Sequence, residues 1–147
     1  MTKAKDRPKP VLSDYAQVRM DTIRSTDLDF QKHVNNVAFV ALCSNARFEF
    51  NAQNVRTRLP KDAKLFLAHF EIDYLAELVY GPPVHTGSRI LALGRSSYRL
   101  EHAVFQDGRC AARAVSVMVY SGGPDGGAQP WPEDLRAALA PAADHHD

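Results

Sequence analysis

The sequence predicts an α+β domain in which one long helix lies against a single antiparallel sheet. Three observations carry that expectation. The run from Val37 to Val55, "VAFVALCSNARFEFNAQNV", contains neither glycine nor proline and has the length of a helix of about five turns. Segments on both sides of it alternate apolar and polar residues, the period of a strand with one covered face. Between two of those segments lies Asp107-Gly108, the dipeptide that a tight type I′ hairpin prefers.

The elements follow in chain order. Residues 1–13 hold four cations and two prolines and offer little to bury, so they read as a flexible basic arm. A single domain is expected over 14–141 and a frayed tail over 142–147. "DYAQVRMDTI", Asp14 to Ile23, alternates as a half-exposed first strand. Val37 to Cys43 is apolar on every side, which a helix tolerates only where neighbours surround it, whereas Asn45, Arg47, Glu49, Asn51 and Gln53 reach water. The helix therefore enters a core end-first. After the break "RTRLPKDAK", the stretch "LFLAHFEIDYL" places Ala68, Phe70, Ile72 and Tyr74 on one side of a second strand. "VYGPPVH" is a turn. "TGSRILALGRSSYRL" resumes as a strand with a bulge or bend at Gly94, and "EHAVFQDGRCAARAVSVMVY" is the hairpin. "EDLRAALA" forms a short closing helix, with Pro132 before it and acidic residues in its first turn. Such a sheet has one helix of its own, so its far side or its edges are expected to meet another copy of the chain.

Composition narrows the function classes. At 147 residues the chain buries roughly two thirds of its unfolded surface in one core. Lysine and arginine number 18 against 17 for aspartate and glutamate, a formal charge of +1, which gives no electrostatic case for nucleic acid or a membrane surface. Cys43 and Cys110 stand far apart in apolar surroundings, without metal or redox spacing, and read as small core residues. His145 and His146 at the terminus read as solvated rather than metal-binding. No run reaches the ~20 apolar residues of a membrane span, no signal peptide is visible, and unpaired thiols suit a reducing cytoplasm.

"DLDFQKHVNN", Asp27 to Asn36, supports two readings. In one it is only a helix cap: Asn35 or Asn36 caps the helix, and Asp27 and Asp29 favour its positive end. In the other it is a site. A polar loop leading into an apolar helix lies at the mouth of the core, where the first amides of the helix have no intrahelical acceptor and face an approaching carbonyl oxygen. A carboxylate beside them, with Asp29 the candidate, can attack an acyl carbon or deprotonate a water.

The same residues carry a resemblance. "DLDFQKHVNNVAF" followed by "CSNARFEF" resembles the D-x-D-x-x-G-H-V-N-N-x-x-Y…E-A-R signature of the 4-hydroxybenzoyl-CoA thioesterase family of hotdog-fold enzymes. It is also similar to the "DLDxNxHVNN" segment of plant acyl-ACP thioesterases. The likeness continues through "FEIDYLAEL", "LGRSS", "AVFQDGRCAARAVSVMVY" and "WPEDLRAAL". It implies a hotdog fold, a five-stranded antiparallel sheet wrapped around one central helix, and hydrolysis of an acyl-CoA thioester in a homodimer or dimer of dimers. The only cofactor chemistry involved is the CoA of the substrate, and no metal is called for. By position, Asp29 matches the catalytic aspartate and Asp27 a supporting one. Gln31 and His33 match the assisting polar residue and histidine. Asn35 and Asn36 match the paired asparagines, with an amide near Asn36 holding the thioester carbonyl.

The chain departs from the pattern in three places. Lys32 replaces a glycine, Phe39 stands where tyrosine is frequent, and "SNAR" lacks the glutamate before Ala-Arg, which leaves Asp29 to act alone. Glu49 reads as part of a solvated helix face. Arg89, Arg95 and Arg99, on or near one strand, read as ordinary surface cations or as forks for CoA phosphates, with Arg95 chosen as the substrate-binding candidate. Phe39, Phe70 and Tyr74 are candidate walls of an acyl tunnel. Hotdog hydratases use a histidine and an acid, and the pattern here follows the thioesterase arrangement instead. The rival from another class is a non-catalytic acyl-CoA-binding or regulatory module.

Overall fold

A computed structural model describes residues 8–122 and 126–143 of the chain; His145 and His146 lie outside the described residues. The chain runs β1 (Gln17–Asp21), α1 (Asn36–Asn54), β2 (Lys64–Tyr74), β3 (Val84–Leu93), β4 (Ser97–Gln106), β5 (Arg109–Ser121) and α2 (Glu133–Ala143). The five strands make one antiparallel sheet in the order β1-β3-β4-β5-β2. One long helix against this sheet is the hotdog arrangement.

The hairpin expected at Asp107-Gly108 is present. Gln106 pairs with Arg109, and both loop residues are left-handed, with φ 52° and 77°, as a type I′ turn requires. The preceding stretch differs from expectation. "TGSRILALGRSSYRL" is not one bent strand but the end of β3 and the start of β4, reversing at Gly94, whose amide donates to the Ser97 carbonyl at 2.7 Å. A Cβ at Gly94 would stand 2.9 Å from Ser97 Oγ, so a side chain there would have to displace that hydroxyl.

β1 is shorter than its alternation suggests, and its polar set is the covered one. Gln17 and Arg19 face α1, where Asn54 donates to the Gln17 side chain and Arg19 pairs with Glu49 at 3.4 Å, while Met20 is exposed. The solvated half of α1 has thereby found polar neighbours.

Two apolar clusters sit under α1, one under each half. Phe39, Leu42 and Cys43 pack on Val84, Val104, Ala112 and Ala114, with Phe70 and Ile72 at the side. Phe50 and Val55 meet Ile90, Tyr98, Leu100 and Met118, and α2 closes that end with Leu135 and Leu139. Both thiols are buried and free; burial pushes Cys43 up to about 12. The start of the helix is not enclosed on every side, however. Val37 is 69% exposed and Val40 38%.

Part of the far face of the sheet is covered by the chain itself. Tyr15 lies against Gly87, where a Cβ would come within 2.4 Å of its ring. Its hydroxyl donates to buried Glu101 at 2.6 Å. Glu101 also holds Arg89 at 2.9 Å and Arg113 at 3.2 Å. Among the described residues no helix is long and apolar enough to cross a membrane.

Candidate active site

The segment from Asp27 to Asn35 is a closed loop, not an extended approach to the helix. Leu28 and Val34 form an antiparallel bridge. The Asp29 amide donates to the His33 carbonyl at 2.8 Å, and the Asn35 amide to the Asp27 carbonyl at 2.9 Å. At its tip the Lys32 amide donates to the Asp29 carbonyl, and Lys32 has a φ of 64°. The position where the resembling family has glycine is thus a left-handed one, the conformation glycine adopts without cost.

Within this loop the Asp29 carboxylate is held at one oxygen. Its Oδ1 accepts from the Gln31 amide at 2.9 Å and the His33 amide at 3.0 Å. Oδ2 has no donor among the described residues, and the side chain is exposed at the rim of the space in front of the helix. Asp27 is a structural anchor. It is buried and accepts from the Arg24 amide and guanidinium, and the Arg24 side chain chiefly holds its carboxyl below the usual range.

Asn35 is the N-cap: its side chain accepts from the Ala38 amide at 2.8 Å. That bond satisfies one of the orphan donors of the first turn. The amides of Asn36 and Val37 have no acceptor among the described residues. They are the donors left to hold an oxyanion at the positive end of the helix dipole.

These groups share a cavity of about 630 Å³ lined by Asp29, His33, Val34, Asn35, Asn36, Phe39, Tyr74, Ala76 and Glu77. The structure therefore gathers Asp29, His33, Asn35 and Asn36 in one place. Gln31 is not in the lining; it contributes its backbone amide to Asp29, and its side chain is exposed. Arg95 lies in the β3–β4 turn, where its carbonyl accepts from the Trp131 amide, at the opposite end of the sheet from the Asp29 loop. Arg89 and Arg99 point away from α1 and are engaged by Glu101 and Glu71. The three arginines do not converge.

Of the expected tunnel walls, Phe39 and Tyr74 meet edge to face at 5.2 Å, and Phe70 stands further along β2. Glu77 is a lining carboxylate that sequence reasoning passed over. The Leu75 and Ala76 amides both donate to the Ala111 carbonyl, which fixes the chain just before Glu77. The available signal was topological: a strand running antiparallel to α1 ends level with the helix start.

Comparison with known proteins bears on this geometry. The family described as the Thioesterase-like superfamily matches residues 23–139. A thioesterase from Thermus thermophilus, solved in complex with coenzyme A and Zn, is 32% identical, with a TM-score of 0.73 over 85% of this chain and 98% of that one. A thioesterase-superfamily structure from Jannaschia sp. CCS1 is 26% identical, with a TM-score of 0.77 over 88% and 84% of the two chains. The 1,4-dihydroxy-2-naphthoyl-CoA thioesterase of Synechocystis shares the fold at 20% identity, with a TM-score of 0.70 over 84% and 94%. No match to a curated protein was found. Among the described residues no group of histidine, cysteine and acidic side chains is arranged to hold a metal ion.

Proposed function

We propose that this chain, which belongs to the thioesterase-like superfamily, hydrolyses acyl-CoA thioesters at the cavity in front of α1. The observation that carries the reading is the Asp29 carboxylate, tied down at Oδ1 and, among the described residues, without a donor at Oδ2, in one cavity with the helix start, whose Asn36 and Val37 amides have no acceptor among those residues. The coenzyme A bound by the 32%-identical Thermus protein supports the choice of thioester.

In this reading the carbonyl oxygen lodges against those two amides, which strengthen their hold as negative charge develops on it. Asp29 Oδ2 takes a proton from water as the water oxygen adds to the carbonyl carbon. The C–S bond then breaks, and the thiolate leaves with that proton as CoA. In the variant route Oδ2 itself adds to the carbon, the C–S bond breaks to release the CoA thiolate, and water cleaves the resulting anhydride to the free acid and the Asp29 carboxylate, its proton going to the thiolate. His33 orients the water from the cavity wall, and Gln31 acts through its amide. A second copy of the chain completes the cavity along β2, an edge strand whose Phe66, Leu67 and Tyr74 are exposed.

The test is release of free thiol from a panel of acyl-CoAs, comparing the native chain with Asp29→Asn. An asparagine oxygen still accepts from the Gln31 and His33 amides, so the loop is retained while the base is lost. A fall of about 10² to 10⁴ is expected. Equal rates, with acyl-CoA still bound, would instead make the chain a binding module. A single turnover in heavy-oxygen water tests the anhydride route: water attack at the aspartate carbon of the anhydride leaves unlabelled Oδ2 in the product acid and labels Asp29, which the general-base route does not do.

A further inference from the structure

A second cavity, about 420 Å³, opens further along α1 and is lined by Ser44, Arg47, Phe48, Asn51, Ala52, Arg56 and Leu65. Two guanidinium groups reach it and no carboxylate does. Neither arginine forms an ion pair among the described residues. Arg56 donates to the Ala63 carbonyl at 3.0 Å. Arg47 donates to the hydroxyls of Ser116 at 3.1 Å and Ser44 at 3.3 Å, and its charge lies 5.7 Å from the centre of the Phe70 ring.

Everything behind Arg47 is a neutral dipole. Ser116 Oγ stands 2.9 Å from His102 Nε2, and His102 Nδ1 stands 3.1 Å from Ser88 Oγ. Since Arg47 can only donate, Ser116 is free to pass its own hydrogen to Nε2, and His102 then donates from Nδ1 to Ser88. Burial keeps that histidine uncharged. The nearby acids, the Cys43 thiol and the Tyr98 phenol, are both raised by burial and stay protonated. The same burial lowers the pKa of Arg47. A half-buried cation held by neutral groups, with its open side on a cavity, lacks the counter-ion that such charges normally have.

The two cavities lie on one face of the helix. At 100° per residue, Asn36, Val40 and Arg47 fall in a single stripe, and Arg47 lies about 16 Å beyond Asn36 along the axis. Between Asn36 and Arg47 that stripe presents Val40, which is 38% exposed, so the helix surface that separates the two cavities is apolar. That length suits an extended acyl chain of roughly ten to twelve carbons.

We propose that the Arg47–Arg56 cavity receives a carboxylate at the far end of the acyl chain, making ω-carboxyacyl-CoAs the favoured substrate class. The proposal rests on the thioesterase reading for its substrate, but not for its binding site. Phe48, Ala52 and Leu65 take the last methylenes, and the two guanidinium forks take the carboxylate oxygens.

Two measurements test it. The first compares kcat/KM for dodecanoyl-CoA and for the mono-CoA thioester of dodecanedioic acid, in the native chain, Arg47→Gln and Arg56→Gln. The native chain should favour the diacid thioester about tenfold or more, and each variant should lose most of that preference. Arg56 is exposed and contributes little to the core, so Arg56→Gln keeps the test valid if Arg47→Gln does not fold. No native preference, or variants that slow both substrates equally, would overturn the proposal; equal slowing would assign the arginines to CoA phosphates. The second measurement is calorimetric titration with free dodecanedioate and dodecanoate. Tighter binding of the diacid, weakened in Arg56→Gln, supports the site even if no thioester is hydrolysed, and equal binding of the two acids refutes it.

Discussion

Replacing Lys32 with glycine tests the geometry on which the candidate active site depends. The φ of 64° at Lys32 places a side chain in the left-handed region, which costs an ordinary L-residue roughly 1–2 kcal/mol. Glycine removes that cost but gains freedom in the unfolded chain, an opposing effect of about 0.4–1 kcal/mol. The difference is a stabilisation of roughly 0–1.5 kcal/mol, or an increase in Tm of up to about 5 °C for a chain of this size. The assay is thermal unfolding followed by circular dichroism. Lys32→Val serves as the opposite control, because a β-branched residue tolerates positive φ worst.

The control also links stability to catalysis. The Lys32 amide holds the Asp29 carbonyl, and the next amide, that of His33, holds Oδ1. Valine should therefore lower Tm and the rate of thiol release together, since a loop forced out of this turn moves the carboxylate away from the helix start. A glycine variant several degrees less stable than native would refute the left-handed turn. A valine variant with native activity would show that the turn does not position Asp29.

Three further outcomes follow from the same geometry. Asn35→Ala removes the cap on Ala38 and should cost about 1 kcal/mol, read as a lower urea midpoint with an unchanged slope; a neutral result would mean that another group caps α1. Glu77→Gln and His33→Ala should each slow thiol release less than Asp29→Asn does, and a larger loss from either would transfer the role of base to that residue. His102 is pushed down to about 3 from its ordinary value of 6.5, chiefly by burial, so the unfolded chain binds the extra proton first. Its contribution is fully present above 6.5 and is lost as pH falls toward 3, at up to about 1.4 kcal/mol per pH unit. The Tm of His102→Asn should depend less on pH between about 7 and 5 than that of the native chain, and an unchanged dependence would rule out a neutral buried histidine.

How much was legible in the sequence depended on the range of the interaction. The hairpin at Asp107-Gly108 and the cap at Asn35 were readable because each is decided by one or two residues and their own backbone. The polar loop was readable as a unit for the same reason: Asp29, Gln31 and His33 bond to one another across a few positions. The reversal at Gly94 was misplaced because glycine within an alternating run fits a bulge or a turn equally well locally, and only the pairing of β3 with β4 decides between them. The polarity of β1 was hidden too. Its covered residues are polar because they face Asn54 and Glu49 of α1, a partner that alternation alone does not specify.

The arginines show the same limit with more at stake for function. In sequence Arg89, Arg95 and Arg99 stand together, while Arg47, the arginine of the Ala-Arg match, reads as one of the polar positions of α1 that reach water. In the fold Arg89 and Arg99 are matched by Glu101 and Glu71 on the outer face, and Arg95 sits in a turn at the far end of the sheet. Arg47 turns inward to Ser116, a residue 69 positions away. A charge becomes available to a ligand when folding brings no counter-ion to it, and spacing along the chain says nothing about that. The cation at Arg47 thus became visible only after the strands carrying His102 and Ser116 were laid beneath α1.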